Sequence, residues 1–203
     1  MTTDDDRSNG WEGVAQALIA GRSRIGVATV RTWAQALPVG GSILDLGCGT
    51  GVPVSEALID AGFGVYGVDA SPSLVAAFRR RFSRAPVACE PVEDSAFFNR
   101  QFDGVVAIGL LFLLSGPVQG RVLRRVASAL NPTGRFLFTA PEQECTWTDV
   151  LTGRTSRSLG AKAYQEILAS AGVAVVGSYL DEGDNYYYDA TRPTIRDEID
   201  EAV

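Results

Sequence analysis

The run Ile43-Leu-Asp-Leu-Gly-Cys-Gly-Thr-Gly51 constrains this chain more than any other stretch. Ser42 to Leu46 is a short apolar run suited to a buried parallel strand. It ends in a loop with glycines at 47, 49 and 51, and Pro53 then opens an apolar-periodic segment, as proline does in the first turn of a helix. Strand, glycine turn and helix in that order make a nucleotide-binding element. Glycine lets the backbone approach a ligand closely, and the helix N-terminus behind it offers N–H groups. The spacing discriminates among nucleotides. A dinucleotide fingerprint G-x-G-x-x-G needs glycine at 52, where Val52 stands, and no Gly-Lys-Ser/Thr ending marks a phosphate-cradling loop. The competing reading is a glycine-rich turn with a purely structural role.

With Asp45 just ahead of the first glycine, the run resembles the E/D-x-G-x-G-x-G motif of the class I S-adenosylmethionine-dependent methyltransferases. The resemblance implies an α/β fold: a doubly wound, Rossmann-like, seven-stranded sheet in the order 3-2-1-4-5-7-6. Its last strand is antiparallel, and helices cover both faces. It also implies S-adenosylmethionine as cofactor, S-adenosylhomocysteine as product, and cofactor contacts from Asp45, Gly47, Cys48, Gly49 and Gly51.

Bulk properties narrow the function classes. The 203 residues suit one domain with a sizeable core, read as a single unit with residues 1–37 as an N-terminal helical cap and 191–203 as a C-terminal tail. A net charge of −6 argues against nucleic acid as the main partner. Basic residues cluster at Arg79-Arg80-Arg81 and Arg124-Arg125, but both clusters sit in amphipathic helical patterns and read as solvated helix faces. No apolar run approaches the roughly 20 residues of a membrane span, so no membrane partner is expected. The polar, acidic start lacks a signal-peptide pattern, which makes the cytoplasm the expected location. Cysteines 48, 89 and 145 are odd in number and form no C-x-x-C pair, against both a disulfide framework and a zinc site. The chain has no histidine, which removes Ser-His-Asp and Cys-His triads and imidazole metal sites together. Its chemistry has to run on carboxylates, tyrosines, backbone groups or positioning, and no metal and no catalytic base are assigned.

In chain order, helices are predicted over 11–21 and about 25–37, with Arg22 and Arg24 between them. After the glycine loop and a helix to Ala61, Phe63 to Val68 forms a second strand that ends in Asp69. A nucleotide fold uses an acid at that position to accept from ribose hydroxyls. Ser71-Pro72 already supplies the cap and first-turn proline of the next helix, which leaves Asp69 for the ligand. The resemblance places Ala70 and Ser71 on the same cofactor wall. Pro86 to Glu90 is a third strand, and Val92 to Asp103 resembles the methyltransferase stretch beside the adenine, with Val92 and Glu93 nearest the ring. The family often has an acid there for the exocyclic amine; this chain has Pro91, so the Val92 backbone or Glu93 has to substitute. Glu93 reads equally well as a cap of a short helix.

Phe102 to Ile108 is the fourth strand, and the resemblance assigns Ile108, Gly109 and Leu110 to the methionine side of the pocket. A helix from Gly116-Pro117, a turn at Asn131–Gly134 and a fifth strand at 135–139 follow. Residues 140–159 show little periodicity and are expected to be a substrate-facing loop. A helix capped by Ser158, a sixth strand over 173–180, a turn at 181–185 and a returning strand from Tyr186 to Asp189 complete the sheet. Thr194 to Val203 carries a capping-box pattern. Candidates for the substrate rim are Trp11, Leu110, Glu142, Trp147, Asp149, Asp184 and Tyr186, with Asp181 and Glu182 beside them. An acidic, aromatic rim suits a cationic or amine-bearing small molecule. The expected function is in-line methyl transfer to a small-molecule acceptor. Two alternatives stay open: a non-catalytic S-adenosylmethionine-binding sensor or adaptor, and aminopropyl transfer as in polyamine synthases. The latter calls for an aspartate-rich loop after strand four, where Gly-Leu-Leu-Phe-Leu-Leu stands.

Overall fold

The structure, a computed structural model, describes residues 6–21 and 23–194. Among these, nine strands run in chain order: β1 (Ser42–Leu46), β2 (Gly64–Asp69), β3 (Val87–Cys89), β4 (Phe102–Ala107), β5 (Leu130–Thr139), β6 (Glu144–Thr148), β7 (Thr155–Leu159), β8 (Ala174–Leu180) and β9 (Tyr186–Thr191). Six helices accompany them: α1 (Trp11–Ala20), α2 (Val27–Ala34), α3 (Val54–Asp60), α4 (Pro72–Arg81), α5 (Gly116–Ala129) and α6 (Ala161–Ser170). Seven strands form one sheet in the order β3-β2-β1-β4-β5-β9-β8. The first five are parallel, and β9 is antiparallel to both neighbours. The expected architecture is thus observed, with β8 and β9 as the expected strands six and seven. None of the described helices is long and apolar enough to cross a membrane.

The central strands read as continuous apolar runs because the sheet is covered on both faces. Successive side chains alternate between two cores. Leu44, Val105, Phe136, Phe138 and Tyr188 pack under α5 and α6, while Ile43, Val106, Leu137 and Tyr187 pack under α2 and α3. On the first face the Phe138 ring stacks on Tyr188 at 4.7 Å and meets the Tyr164 ring edge-on at 5.4 Å. Each such fully buried large side chain contributes about 1.5–3 kcal/mol of transfer free energy. The two N-terminal helices differ. α2 buries Val30, Trp33 and Ala34 in the core, whereas α1 buries only Ala15 and lies against α4.

Three local expectations need correction. Residues 140–159 are not an irregular loop: β6 and β7 pair as an antiparallel hairpin outside the main sheet. Its buried positions on β7 are Ser156 and Ser158, so apolar periodicity could not reveal it. Ser158 consequently lies in a strand and does not cap α6. Its hydroxyl donates to the Pro141 carbonyl, and Gly160 stands at the helix N-cap. The turn at Asn131–Gly134 survives as an irregularity within β5, where the register with β4 shifts between Phe102 and Gly104. Arg22 and the helix expected over 194–203 lie outside the described residues, Thr194 apart.

Candidate cofactor and acceptor site

A cavity of about 580 Å³ opens at the carboxyl ends of the parallel strands, a size usual for small-molecule and cofactor sites. It straddles β1 and β4, from which the chain winds in opposite directions, the switch point where open α/β sheets bind ligands. Four of the five parallel strands contribute their C-terminal loops to the wall: Gly47, Gly49 and Thr50 after β1, Asp69 and Ala70 at β2, Pro91, Val92 and Glu93 after β3, and Ile108, Gly109 and Leu110 after β4.

The glycine turn is held from beneath. The N–H groups of Gly47 and Cys48 donate to the Val68 carbonyl at 2.8 and 3.2 Å, which ties the turn to β2. Gly49 N–H donates to Asp69 Oδ2 at 2.8 Å, and Ser71 N–H donates to Asp69 Oδ1 at 2.8 Å. Asp69 is therefore not left to the ligand alone, as the capping argument from sequence supposes: backbone groups on both sides already orient it at the cavity wall. Gly49 and Gly109 have positive φ, and a Cβ on either would meet no protein atom within 4 Å, so both leave open space on the cavity side.

Other predicted cofactor residues stand behind the wall. Asp45 is 2% exposed and accepts from Ser55 Oγ, bracing the first turn of α3 under the glycine loop. Cys48 is buried, and burial, followed by the charges of Asp45 and Asp69, pushes its thiol pKa far up. Ser71 accepts from Leu74 N–H and so caps α4. At Gly51 a Cβ would lie 2.5 Å from Phe82, so glycine is required there for packing.

One end of the cavity is apolar, formed by Phe112, Leu113, Leu114 and Val118. Of the rim candidates, Trp11, Leu110 and Asp149 line the cavity, and Trp147 backs its wall by packing on Phe112 at 5.3 Å between ring centres. The rest lie elsewhere. Tyr186 hydroxyl donates to Glu142, an exposed pair outside the cavity lining. Asp181 accepts from Asn185, Gly183 and Tyr187 within the β8–β9 turn, which also holds Asp184, and Glu182 accepts from Gly26 N–H.

The N-terminal segment closes the cavity, with Asp6, Arg7, Ser8 and Asn9 lining it alongside Trp11 and Leu18. Sequence reasoning singled out only Trp11 here; the other positions carry no periodic signal. The segment is tied to loops around the site. Arg7 pairs with Asp94, Asn9 Nδ2 donates to the Leu113 carbonyl at 2.8 Å, and Arg154 approaches Asp6 at 3.9 Å. Glu12 reaches the N-terminus of α4, accepting from the hydroxyls of Ser71 and Ser73 and from Ser73 N–H at 3.1 Å. Desolvation works to raise the Glu12 pKa, but the bonds from Ser71 and then Ser73 together outweigh it and leave the pKa lowered. Trp11 Nε1 is a buried donor with no hydrogen-bond partner among the described residues. No group of three or more Cys, Asp or Glu among those residues could hold a metal ion.

The fold is that of a doubly wound α/β protein, with its crevice at the topological switch point. Residues 43–134 match the family model described as a methyltransferase domain. A cypemycin N-terminal methyltransferase from a Streptomyces species is 40% identical over 98 residues, 47% of this chain and 40% of that protein. Over the four curated relatives the chain covers 34% to 59% of their lengths. Among solved structures, the Burkholderia thailandensis 1,6-didemethyltoxoflavin-N1-methyltransferase, bound to 1,6-didemethyltoxoflavin and S-adenosylhomocysteine, has a TM-score of 0.73 at 19% identity, covering 93% of this chain and 87% of that one. The [4+2]-cyclase SpnF has a TM-score of 0.75 at 17% identity, covering 93% and 97%. Likenesses at such identities establish the fold alone. In its glycine motif, in the stretch 43–134 that matches the methyltransferase-domain model and in its fold, the chain is similar to the class I S-adenosylmethionine-dependent methyltransferases.

Proposed function

We propose that this protein transfers a methyl group from S-adenosylmethionine to a small, amine-bearing acceptor. The observation that carries this is the single continuous cavity joining the glycine turn and Asp69 to the apolar β4 loop and Asp149. The residues present suit the cofactor: Asp69 offers a carboxylate to the ribose hydroxyls, Gly49 and Gly109 leave space that a side chain would fill, and Val92 offers an apolar surface to the base. When bound, S-adenosylmethionine supplies an electrophilic methyl carbon on a sulfonium. The chain's own contribution is alignment, holding the acceptor atom roughly 3–3.5 Å from that carbon and in line with the sulfur. Leu110, Leu113 and Leu114 keep water from the reacting cation. None of this requires histidine.

An amine acceptor is favoured by the charge of the lining, where, among the described residues, four acids (Asp6, Asp69, Glu93 and Asp149) accompany one cation, Arg7, itself paired with Asp94. Asp149 uses Oδ1 to accept from Leu151 N–H and from the Thr152 N–H and hydroxyl, while Oδ2 has no partner among the described residues. It is the carboxylate disposed to hold an ammonium or take the proton released on transfer.

The test is a panel of amine, phenol, thiol and carboxylate acceptors, scored by S-adenosylhomocysteine formation, with Asp149→Asn alongside the wild type. Turnover confined to amines and reduced in the variant is the expected result. Turnover of phenols or carboxylates alone removes the amine assignment. Binding of S-adenosylmethionine without turnover of any acceptor makes the protein a binding module.

A further inference from the structure

Arg124-Arg125 reads from the sequence as a solvated helix face, yet Arg125 on α5 is half-buried and bonded through both terminal nitrogens. Its Nη1 donates to the carbonyls of Val92 at 3.2 Å and Glu93 at 2.6 Å, and its Nη2 donates to the Ser95 carbonyl. The guanidinium carbon also sits 4.7 Å over the Phe97 ring. Three carbonyls of one short turn are thus gathered by one side chain. Val92 and Glu93 line the cavity and Arg125 does not, so the arginine reaches the turn from outside.

The peptide plane converts this outer contact into an inner one. In a trans peptide the N–H of residue 93 points opposite to the C=O of residue 92. With the Val92 carbonyl turned out toward Arg125, the Glu93 N–H is turned toward the cavity. The same turn is closed by Asp94 N–H and Ser95 N–H, both donating to the Pro91 carbonyl at 3.1 Å. Among the described residues, no acceptor meets the N–H of Glu93. A donor at the edge of a ligand cavity, held in place from behind and left without a protein partner, is a recognition group.

We propose that Arg125 is a positioning residue for base recognition: it holds the 92–95 turn so that the Glu93 N–H reads an acceptor nitrogen on the edge of the purine. This rests on S-adenosylmethionine being the cofactor. A ribose held at Asp69 has its base and its sulfonium chain at opposite ends. The sulfonium belongs with the acceptor beside the β4 loop, which leaves the Pro91–Glu93 end for the base. Pro91 carries no polar side chain there, so the polarity falls to the backbone of the turn and the Glu93 carboxylate, and of these only the backbone N–H can donate to a ring nitrogen. Adenine presents an acceptor at N1, whereas hypoxanthine carries a proton on N1 and sets a donor against a donor.

The experiment is calorimetric binding of S-adenosylhomocysteine and S-inosylhomocysteine to the wild type, Arg125→Met and Arg125→Gln, with ligand-free unfolding midpoints measured in parallel. The wild type is expected to prefer the adenine ligand by about tenfold, the worth of one hydrogen bond against an unmet donor. Arg125→Met should weaken the adenine ligand by about tenfold and bring the two ligands to near-equal affinity. Arg125→Gln, which disturbs the fold less, should lower the preference in the same direction. A preference that survives in every variant that folds overturns the inference, even if both ligands weaken together, because equal weakening is what a merely structural arginine produces. A wild type that binds the adenine ligand without preference overturns it also. A wild type that binds neither ligand overturns the cofactor assignment, and this inference with it.

Discussion

Two glycines of the first turn, Gly49 and Gly51, do different work, which substitution separates. At Gly51, φ is +80° and a Cβ would sit 2.5 Å from Phe82 and 2.8 Å from Phe78, both on or beside α4. Gly51→Ala is expected to cost about 1–3 kcal/mol through overpacking, with further strain from the left-handed backbone, measured by urea unfolding. At Gly49, φ is +55° and a Cβ meets nothing. Gly49→Ala should cost only about 1 kcal/mol in stability while weakening S-adenosylhomocysteine at least tenfold, because the methyl projects into the ligand's space. Asp69→Asn keeps much of the shape but loses the charge that strengthens hydrogen bonds by about 1.5–3 kcal/mol, so calorimetry should register a loss of roughly ten- to a hundredfold. Asp69 was legible because an acid at the end of a second strand is a local signal. Its bonds to the Gly49 and Ser71 backbones were not, since they depend on how two separate loops meet.

Among elements, α1 is the one whose attachment depends on few contacts. Glu12 makes most of its polar connection to α4, and its pKa is lowered by the bonds from Ser71 and Ser73 prevailing over desolvation. A carboxyl with a lowered folded pKa contributes stability that is present above its unfolded value of about 4.3 and is lost as pH falls through the folded value. The α1–α4 contact should therefore be intact at neutral pH and release only in acid, as pH falls below the ordinary glutamate range. Hydrogen exchange over residues 11–20 checks this: Glu12→Ala should show at pH 7 the fast exchange that the wild type acquires only in acid, and equal protection at pH 7 in the two proteins would count against a latch. The exposed Arg7–Asp94 pair adds little, as surface ion pairs do. The β6–β7 hairpin is the second such element. Trp147→Ala, which removes the ring backing Phe112, should raise the acceptor KM several-fold and leave cofactor affinity near its wild-type value. The hairpin escaped the apolar pattern because its buried side chains are serines, whereas Thr146-Trp147-Thr148 and the Thr152-Gly153 turn did carry strand and turn chemistry.

At the scale of the whole molecule, the sheet order places the loops after β1, β2, β3 and β4 on one edge, and the N-terminal segment is laid across them. Ligand binding should therefore stabilise the molecule as a unit. At a hundredfold excess over Kd a specific ligand contributes about 2.7 kcal/mol, which for a domain of this size is a shift of roughly 5–10 °C. S-adenosylhomocysteine should produce that shift in a thermal melt and NAD should not; stabilisation by NAD alone would refute the cofactor assignment. The strands themselves were legible because parallel strands buried on both faces announce themselves as apolar runs, and the glycine turn and Asp69 because they answer to backbone and charge requirements within a few residues; the order of the sheet came only from the resemblance those residues carry. Which acids face the cavity was not legible. Asp181, Glu182 and Asp184 looked equivalent to Asp149, and they were separated by a turn that folds onto Asn185, Tyr187 and Gly26. The closing segment and Arg125 were hidden for the same reason. Arg7 meets Asp94 across 87 positions, Asn9 meets Leu113 across 104, and Arg125 meets the 92–95 turn across 30 to 33. Contacts at such separations leave no period in the chain; they exist because packing brings distant loops to one edge of the sheet, and there the polar groups find their partners.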